Sequence, residues 1–278
     1  MKHSMNTMHS LFPAITLSLI FLVPSTGTLA GTPDARQIME QVDARDDGDR
    51  SISDIQMILI DRNGAQRTRT LISYGLDKGE DKYRMMMFLS PADVKETGFL
   101  TYDYDAPGKD DDQWLYLPAL RKVKRIATGD KTGSFVGSDF SYADLTDRRL
   151  SDYDYSFHPK QSEIEVYGKK CWVIDSVPVS QDVIDETGYT KSISFVRQDN
   201  FVVIRSINYL EDGGKTKYYD VKELEQIDGI WTEKEIHMTT KKGKSVLHQT
   251  ILSMRNIRFN QESVNDELFT TRRLEKGL

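Results

Sequence analysis

The stretch GSDFSYADLTDRRLSDYDY, Gly137 to Tyr155, holds five aspartates and four aromatic side chains. Carboxylates at this density have three uses: binding a divalent cation, working as an acid–base pair, or capping and solvating a structural segment. A calcium loop sets oxygen ligands at alternating positions around a glycine that makes the sharp turn. No glycine interrupts Ser138 to Tyr155. Ser141 instead stands three residues before Asp144, a spacing whose side chains satisfy free N–H groups where a helix starts. The stretch therefore reads as a capped cover segment. Tyr142, Leu145 and Arg149 follow at helix-like intervals, Phe140 and Leu145 face apolar surface, and Asp147, Arg148, Arg149 and Asp152 form a solvated side.

Other patterns that could carry chemistry are incomplete. Asp110, Asp111 and Asp112 follow Pro107-Gly108 between two strand signals, which suits a solvated hairpin. His158, His237 and His248 form no HExxH pair, and the single cysteine, Cys171, cannot complete a zinc set or an intramolecular disulfide. GSFVG, Gly133 to Gly137, has its serine second rather than third in the GxSxG order, and GDKTGS, Gly129 to Ser134, lacks the phosphate-loop spacing. A hydrolase using Asp139, Asp144 or His158 would need folding to assemble a pair that no spacing announces. The expectation is a protein that is not an enzyme, with no catalytic residue, metal or cofactor. One basic cluster, Arg121, Lys122, Lys124 and Arg125, follows the apolar run Trp114 to Pro118. It reads either as charge protecting an edge strand or as a docking patch for anionic lipid headgroups or an acidic partner. With a net charge of −6, nucleic acid is not an expected partner.

The elements that must position these residues are mostly strands. The chain opens with Lys2, an apolar run from Leu11 to Val23 and the small-residue sequence Thr28-Leu29-Ala30-Gly31, the pattern of a signal peptide spanning 1–30 and leaving 31–278 as one domain. Its apolar run is shorter than the roughly 20 residues that span a bilayer, and Thr32 stands where a lipidated cysteine would. A soluble exported protein is expected. Thr32-Pro33 then starts an amphipathic helix through Ala35, Ile38, Met39 and Val42. Thirteen strand signals follow, from Ile52–Asp61 to Lys244–Phe259, nearly all separated by hairpin-length turns. So many consecutive antiparallel strands must curl or close, giving a mainly β fold: a single highly curved antiparallel sheet or incomplete β-barrel with a few covering helices. Met85 to Leu89 and Ile55 to Ile60 are apolar on both faces, so something covers the second face. The helix near Ile38 and the aspartate-rich stretch are the two candidates.

The run MFLSPADVKETGFLTYDYDAPGKDDDQWLYLPALRKVKRI, Met87 to Ile126, with GSFVGSDFSYADL, Gly133 to Leu145, resembles the LolA-like outer-membrane lipoprotein-sorting family, and the similarity runs on to DELFTTRRLEK, Asp266 to Lys276. The resemblance implies a curved, incomplete barrel whose apolar face is closed by helices with acyl chains between. It also implies a lid-locking arginine, for which Arg67, Arg69 and Arg84 are open alternatives, and an association with inner-membrane permeases of the resistance-nodulation (RND) type. On this basis the chain is expected to be a periplasmic carrier of lipoprotein or lipid acyl chains toward the outer membrane, with transient membrane contact. The alternative is a non-enzymatic adaptor of an envelope export system. Flexible thioethers suit a pocket for variable apolar chains, and the expected wall is Met57, Leu59, Met85, Met87, Leu100, Phe195 and Ile204. A one-residue slip in register would exchange Met85 and Met87 for Met86 and Phe88.

Overall fold

A computed structural model describes residue 1, residues 33–106 and residues 108–277. The expected signal peptide and the Thr32 cap lie outside the described residues. The first helix is Ala35–Asp43 (α1). Its cap is Asp34, which accepts the Gln37 N–H while the Gln37 side chain accepts the Asp34 N–H, a reciprocal capping box.

The strands of the first half are Ser51–Asp61 (β1), Gln66–Lys78 (β2), Asp81–Ser90 (β3), Gly98–Asp103 (β4), Asp112–Leu117 (β5) and Lys122–Arg125 (β6). The second half contains Tyr153–Phe157 (β7), Glu163–Val166 (β8), Lys169–Pro178 (β9), Tyr189–Arg197 (β10), Val203–Leu210 (β11), Lys215–Ile227 (β12), Ile230–Lys242 (β13) and Ser245–Arg258 (β14). Two short helices, Gln181–Thr187 (α2) and Thr271–Lys276 (α3), complete the set. All belong to one 14-stranded sheet in the order β6-β5-β4-β3-β2-β1-β14-β13-β12-β11-β10-β9-β7, with β8 pairing β9. Antiparallel pairing of β1 with β14, from Ile52 opposite Arg258 to Asp61 opposite His248, joins the two halves. The sheet stays open between β6 and β7, so the fold is not a β-barrel.

The link between β6 and β7 shows how far this sheet curls. Gln113 on β5 donates to the Tyr142 carbonyl, and two residues later Asp144 meets Lys217 on β12. In a flat sheet those strands, seven steps apart, would be about 33 Å from each other. Two residues of chain reach only about 7 Å, and side chains do not supply the rest.

The double burial expected of the first-half strands has two covers. One face of β1 to β5, with Met57, Leu59, Leu71, Met86, Phe88, Phe99 and Leu115, packs against Phe135 and Phe140 of the β6–β7 link. The other face, with Met85, Met87 and Leu100, packs against Val264, Phe269 and Leu274 at the chain's C-terminal end. Gly98 is required where α3 approaches: a Cβ there would lie 2.6 Å from Leu274 Cδ1. Helix α1 covers neither of these faces and packs through Ala35 and Ile38 on Trp172, Ile174 and Val196.

Candidate functional site

The β6–β7 link, residues 126–152, is a strap rather than a helix. It advances through 3-10 turns at Thr128–Asp130, Phe135–Gly137, Ala143–Leu145 and Leu150–Asp152. Ser141 and Asp144 do form the expected reciprocal box: Asp144 Oδ2 accepts the Ser141 N–H at 2.8 Å, and the Asp144 N–H reaches Ser141 Oγ at 3.3 Å. The helix this box announces lasts one turn, Ala143–Leu145, before Thr146 turns extended, and Asp144 also serves partners outside the strap. Its carboxylate takes Lys217 Nζ at 3.0 Å and the Tyr189 hydroxyl at 2.8 Å, and both members of the ion pair are nearly buried. Burial alone would raise the Asp144 carboxyl, but Lys217 and the Ser141 N–H outweigh it and hold the group below the usual carboxylate value.

Three more ties fasten the strap. Asp139, buried, pairs with His248 Nδ1 at 2.6 Å and accepts the Thr250 hydroxyl at 2.8 Å, joining the strap to β14. Arg69 on β2 donates to the Val136 carbonyl. Val136 has φ 47°, a left-handed backbone that costs a β-branched residue of order 1–3 kcal/mol and persists only where its surroundings over-determine it. Of Arg67, Arg69 and Arg84, only Arg69 is buried and reaches the strap among the described residues. Arg148 Nη1 donates to Ser192 Oγ at 2.8 Å and Nη2 to Asn208 Oδ1 at 3.3 Å, tying the strap to β10 and β11.

These contacts correct the expected solvated side. Arg148 points into the protein, and Arg149 bridges at 3.1 Å to Asp111. Asp111 is itself buried, not solvated, because it also accepts the Tyr104 N–H. The candidate hydrolase residues fall in separate networks: Asp139 with His248, Asp144 with Lys217, and His158 with Asp175 at 2.8 Å. Among the described residues no group of three or more His, Cys, Asp or Glu side chains is arranged to hold a metal ion.

Between strap, α1 and sheet lies a cavity of about 350 Å³. Met39 and Val42 of α1 form one side, Phe140, Asp144 and Arg148 the strap side, and Ser194, Ser206, Asn208, Tyr219 and Met238 the sheet side. Deep in it the Tyr219 hydroxyl donates to Glu233, whose carboxyl burial raises above its ordinary value. Asp43, Asp47 and Asp147, all exposed, surround Lys82 at the rim.

None of the seven expected wall residues borders this cavity. Met57 and Leu59 lie in the cluster that includes its neighbours Phe140 and Met238. Met85, Met87 and Leu100 lie on the opposite face, under the C-terminal segment. Phe195 and Ile204 pack with Val166, Cys171, Val202 and Val221. The basic cluster occupies the edge strand β6 and the turn before it. Lys124 meets Asp130 at 3.4 Å and Arg125 pairs with Asp112, while Arg121 and Lys122 form no ion pair among the described residues.

The sequence reading missed the small polar residues of β10 and β11 and the strap partner Lys217. Ser192, Ser194, Ser206 and Asn208 alternate with Ile193, Phe195 and Ile207, the pattern of a half-solvated strand, yet all four face inward and are buried. The available signal was their uniformly small size, opposite a strap rich in donors.

Residues 80–276 match a family model described as an uncharacterized protein family. The fold matches a DUF1329 family protein from Desulfovibrio piger at 28% identity and TM-score 0.77, over 86% of this chain and 97% of that one. It equally matches a domain described as an outer membrane lipoprotein-sorting protein from Vibrio parahaemolyticus, at 27% identity and TM-score 0.77, over 87% and 98% of the two chains. A LolA superfamily protein from Nitrosomonas europaea shares the fold at 16% identity and TM-score 0.61, over 86% and 98%. No curated protein matches the sequence.

Proposed function

We propose that this chain, which belongs to the family whose model matches its residues 80–276, is a LolA-like carrier that holds an acyl chain of a lipoprotein or lipid between the strap and the sheet. The observation that carries this reading is the strap itself. It covers an apolar sheet face yet is fastened at Asp139, Asp144, Arg148 and Val136 by hydrogen bonds and ion pairs, which exchange with water when the strap lifts. Lifting it extends the cavity toward Met57 and Leu59, where each methylene placed against apolar side chains contributes about 0.8 kcal/mol. The other expected wall residues, Met85, Met87, Leu100, Phe195 and Ile204, contribute packing beneath other segments in this closed form.

The kinship with a lipoprotein-sorting domain supports an extracytoplasmic location, with delivery toward the outer membrane. Arg121 and Lys122, exposed and unpaired on the edge, suit transient contact with anionic headgroups or with an RND-type permease. Titration of a fluorescent fatty acid into delipidated protein tests the reading. Wild type binds and Met57→Asp binds at least about tenfold more weakly, because a carboxylate is costly on an apolar wall. A delipidated wild type that takes up no acyl probe removes the carrier reading in favour of a non-enzymatic adaptor of an envelope export system.

A further inference from the structure

A slot for a bare hydrocarbon has no use for cations, yet Arg45, Lys82 and Arg148 all line the cavity. The Arg148 guanidinium is met by Ser192 Oγ at 2.8 Å and Asn208 Oδ1 at 3.3 Å, and it lies 5.1 Å from the centre of the Tyr189 ring and 5.8 Å from that of Tyr153. All four partners are neutral, and the nearest carboxylate, Asp144, acts on the guanidinium through its field without a hydrogen bond to it. Arg148 forms no ion pair among the described residues. Asp144, on the same strap, already has Lys217 at 3.0 Å, and Ser141 and Tyr189 occupy its remaining acceptor sites. Glu233, the other carboxylate on the deep wall, is bound by the Tyr219 hydroxyl and faces Arg45. The rim carboxylates are grouped about Lys82, whose Nζ lies 2.7 Å from Asp47 and 2.9 Å from Asp147.

A guanidinium offers five N–H donors, and the described residues use two of those on Arg148. Withdrawing a cation from water without a counter-charge is unfavourable, and an arriving anion removes that cost. Beside the guanidinium Asn208 is itself bonded to Ser206 Oγ at 3.0 Å, and Ser194 and Ser206 belong to the same lining. The apolar side chains Met39 and Val42 on the α1 side and Met238 on the sheet side belong to the same lining. The cavity thus combines polar groups around Arg148 with apolar side chains. A volume of about 350 Å³ falls within the range of small-molecule sites, roughly 300–1,000 Å³.

We propose that the cavity recognises an anionic amphiphile by its head: a carboxylate or phosphate docks on Arg148 with the Ser194 and Ser206 hydroxyls as further donors, and the chain runs along Met39, Val42 and Met238. This inference rests on the carrier reading and adds what that reading leaves open, the charge and chemistry of the cargo's polar end. Arginine suits the task because its planar fork matches the two oxygens of a carboxylate or phosphate.

The test compares four probes on the delipidated full chain at neutral pH by calorimetry: laurate, dodecyl phosphate, dodecanol and inorganic phosphate. Laurate and dodecanol share a twelve-carbon chain and differ in the charge of the head. The expected result is that laurate, dodecyl phosphate or both bind at least about tenfold more tightly than dodecanol, as a charge-assisted bidentate contact requires. The tighter of the two identifies the head. Arg148→Gln should abolish that preference, so that the charged and uncharged twelve-carbon probes bind with equal affinity. Wild type binding neither laurate nor dodecyl phosphate more tightly than dodecanol overturns the inference and leaves the carrier reading standing. Failure of every chain-bearing probe overturns both. Inorganic phosphate binding as tightly as dodecyl phosphate overturns the amphiphile in favour of a free anion. The wild-type comparison needs no variant, so the inference remains testable if Arg148→Gln does not fold.

Discussion

Replacing Lys217 with methionine keeps the unbranched apolar stem, one atom shorter, and removes the charge that Asp144 meets at 3.0 Å. Side-chain exposures of 10% and 8% for Lys217 and Asp144 put this pair in the regime where removing one partner leaves an uncompensated buried charge. The loss there is about 3–5 kcal/mol, against 0–1 kcal/mol for an exposed pair. The Ser141 N–H, Ser141 Oγ and Tyr189 hydroxyl still bond the orphaned carboxylate, so the lower end, about 3 kcal/mol, is expected. Asp144→Asn keeps an acceptor for Ser141 but leaves Lys217 unmatched, and should cost a similar amount. Combining the two substitutions removes both charges, so the double variant should be more stable than the sum of the single losses predicts, by at least about 1 kcal/mol. Urea unfolding gives the three free energies, and amide exchange across residues 126–152 shows whether the loss is global or confined to the strap. The sign with pH follows from the lowered Asp144 carboxyl. Its contribution is complete above the unfolded value of 3.8 and is lost as pH falls through the still lower folded value, so mild acid should not free the strap through this group. Additive losses within about 0.5 kcal/mol, with strap exchange unchanged, would refute the claim that this pair holds the cover.

Other substitutions test other parts of the molecule. Gly98→Val forces side-chain atoms onto Leu274 Cδ1 and Met87 Sδ, 2.6 and 2.7 Å from a Cβ, and should cost about 1–3 kcal/mol of stability, with the extra exchange concentrated in 264–276; a midpoint within error of wild type contradicts the close packing of α3. Lys122→Glu with Lys124→Glu should weaken flotation with anionic vesicles by up to about 1 kcal/mol per charge, and unchanged binding would leave these residues as edge protection alone. Burial, with Asp147 and Asp111 adding repulsion, pushes the Asp103 carboxyl up to about 7. The folded state therefore keeps a proton that the unfolded chain releases above 3.8, and stability should fall as pH rises through that window, by up to about 1.4 kcal/mol per unit. Asp103→Asn should flatten the slope between about 6 and 7, leaving the Asp77 contribution below about 6; an unaltered slope would refute the assignment.

The fold was legible because its signals are local and repeated. Ile52–Asp61 and Lys244–Phe259 appear in the structure as Ser51–Asp61 and Ser245–Arg258, within one residue of the bounds read from the sequence, since turn residues and a change of hydrophobic period mark the ends. The double burial of Met85 to Phe88 was also legible, because a strand with one wet face does not carry four consecutive apolar side chains. Two elements were not. Tyr153–Phe157 was hidden in a stretch whose aspartates suggested a capped helix, and its pairing with β9 depends on a partner seventeen or more residues away. The Ser141–Asp144 box was present as read, but a local cap does not determine helix length when its acidic member is drawn to Lys217, seventy-three positions along the chain.

The site was illegible for a different reason. Sequence reading assigns polar residues to water, and the cavity inverts that rule: Ser194, Ser206, Asn208 and Lys217 are buried, while the methionines expected to line it are packed as core. Alternation in β10 and β11 correctly separates two faces but does not say which is inside, because either choice satisfies period two. What decides is the strap. Its own donors and acceptors, Arg148, Asp144 and Asp139, need partners once water is excluded, and polar positions on the facing strands supply them. An all-apolar sheet face beneath these groups would leave them unsatisfied, and a strap free of them would be sealed by apolar contact alone. Under the proposed carrier reading, a cover that opens is better fastened by bonds that water can replace than by burial that water opposes, and a polar floor of this kind is invisible to hydropathy.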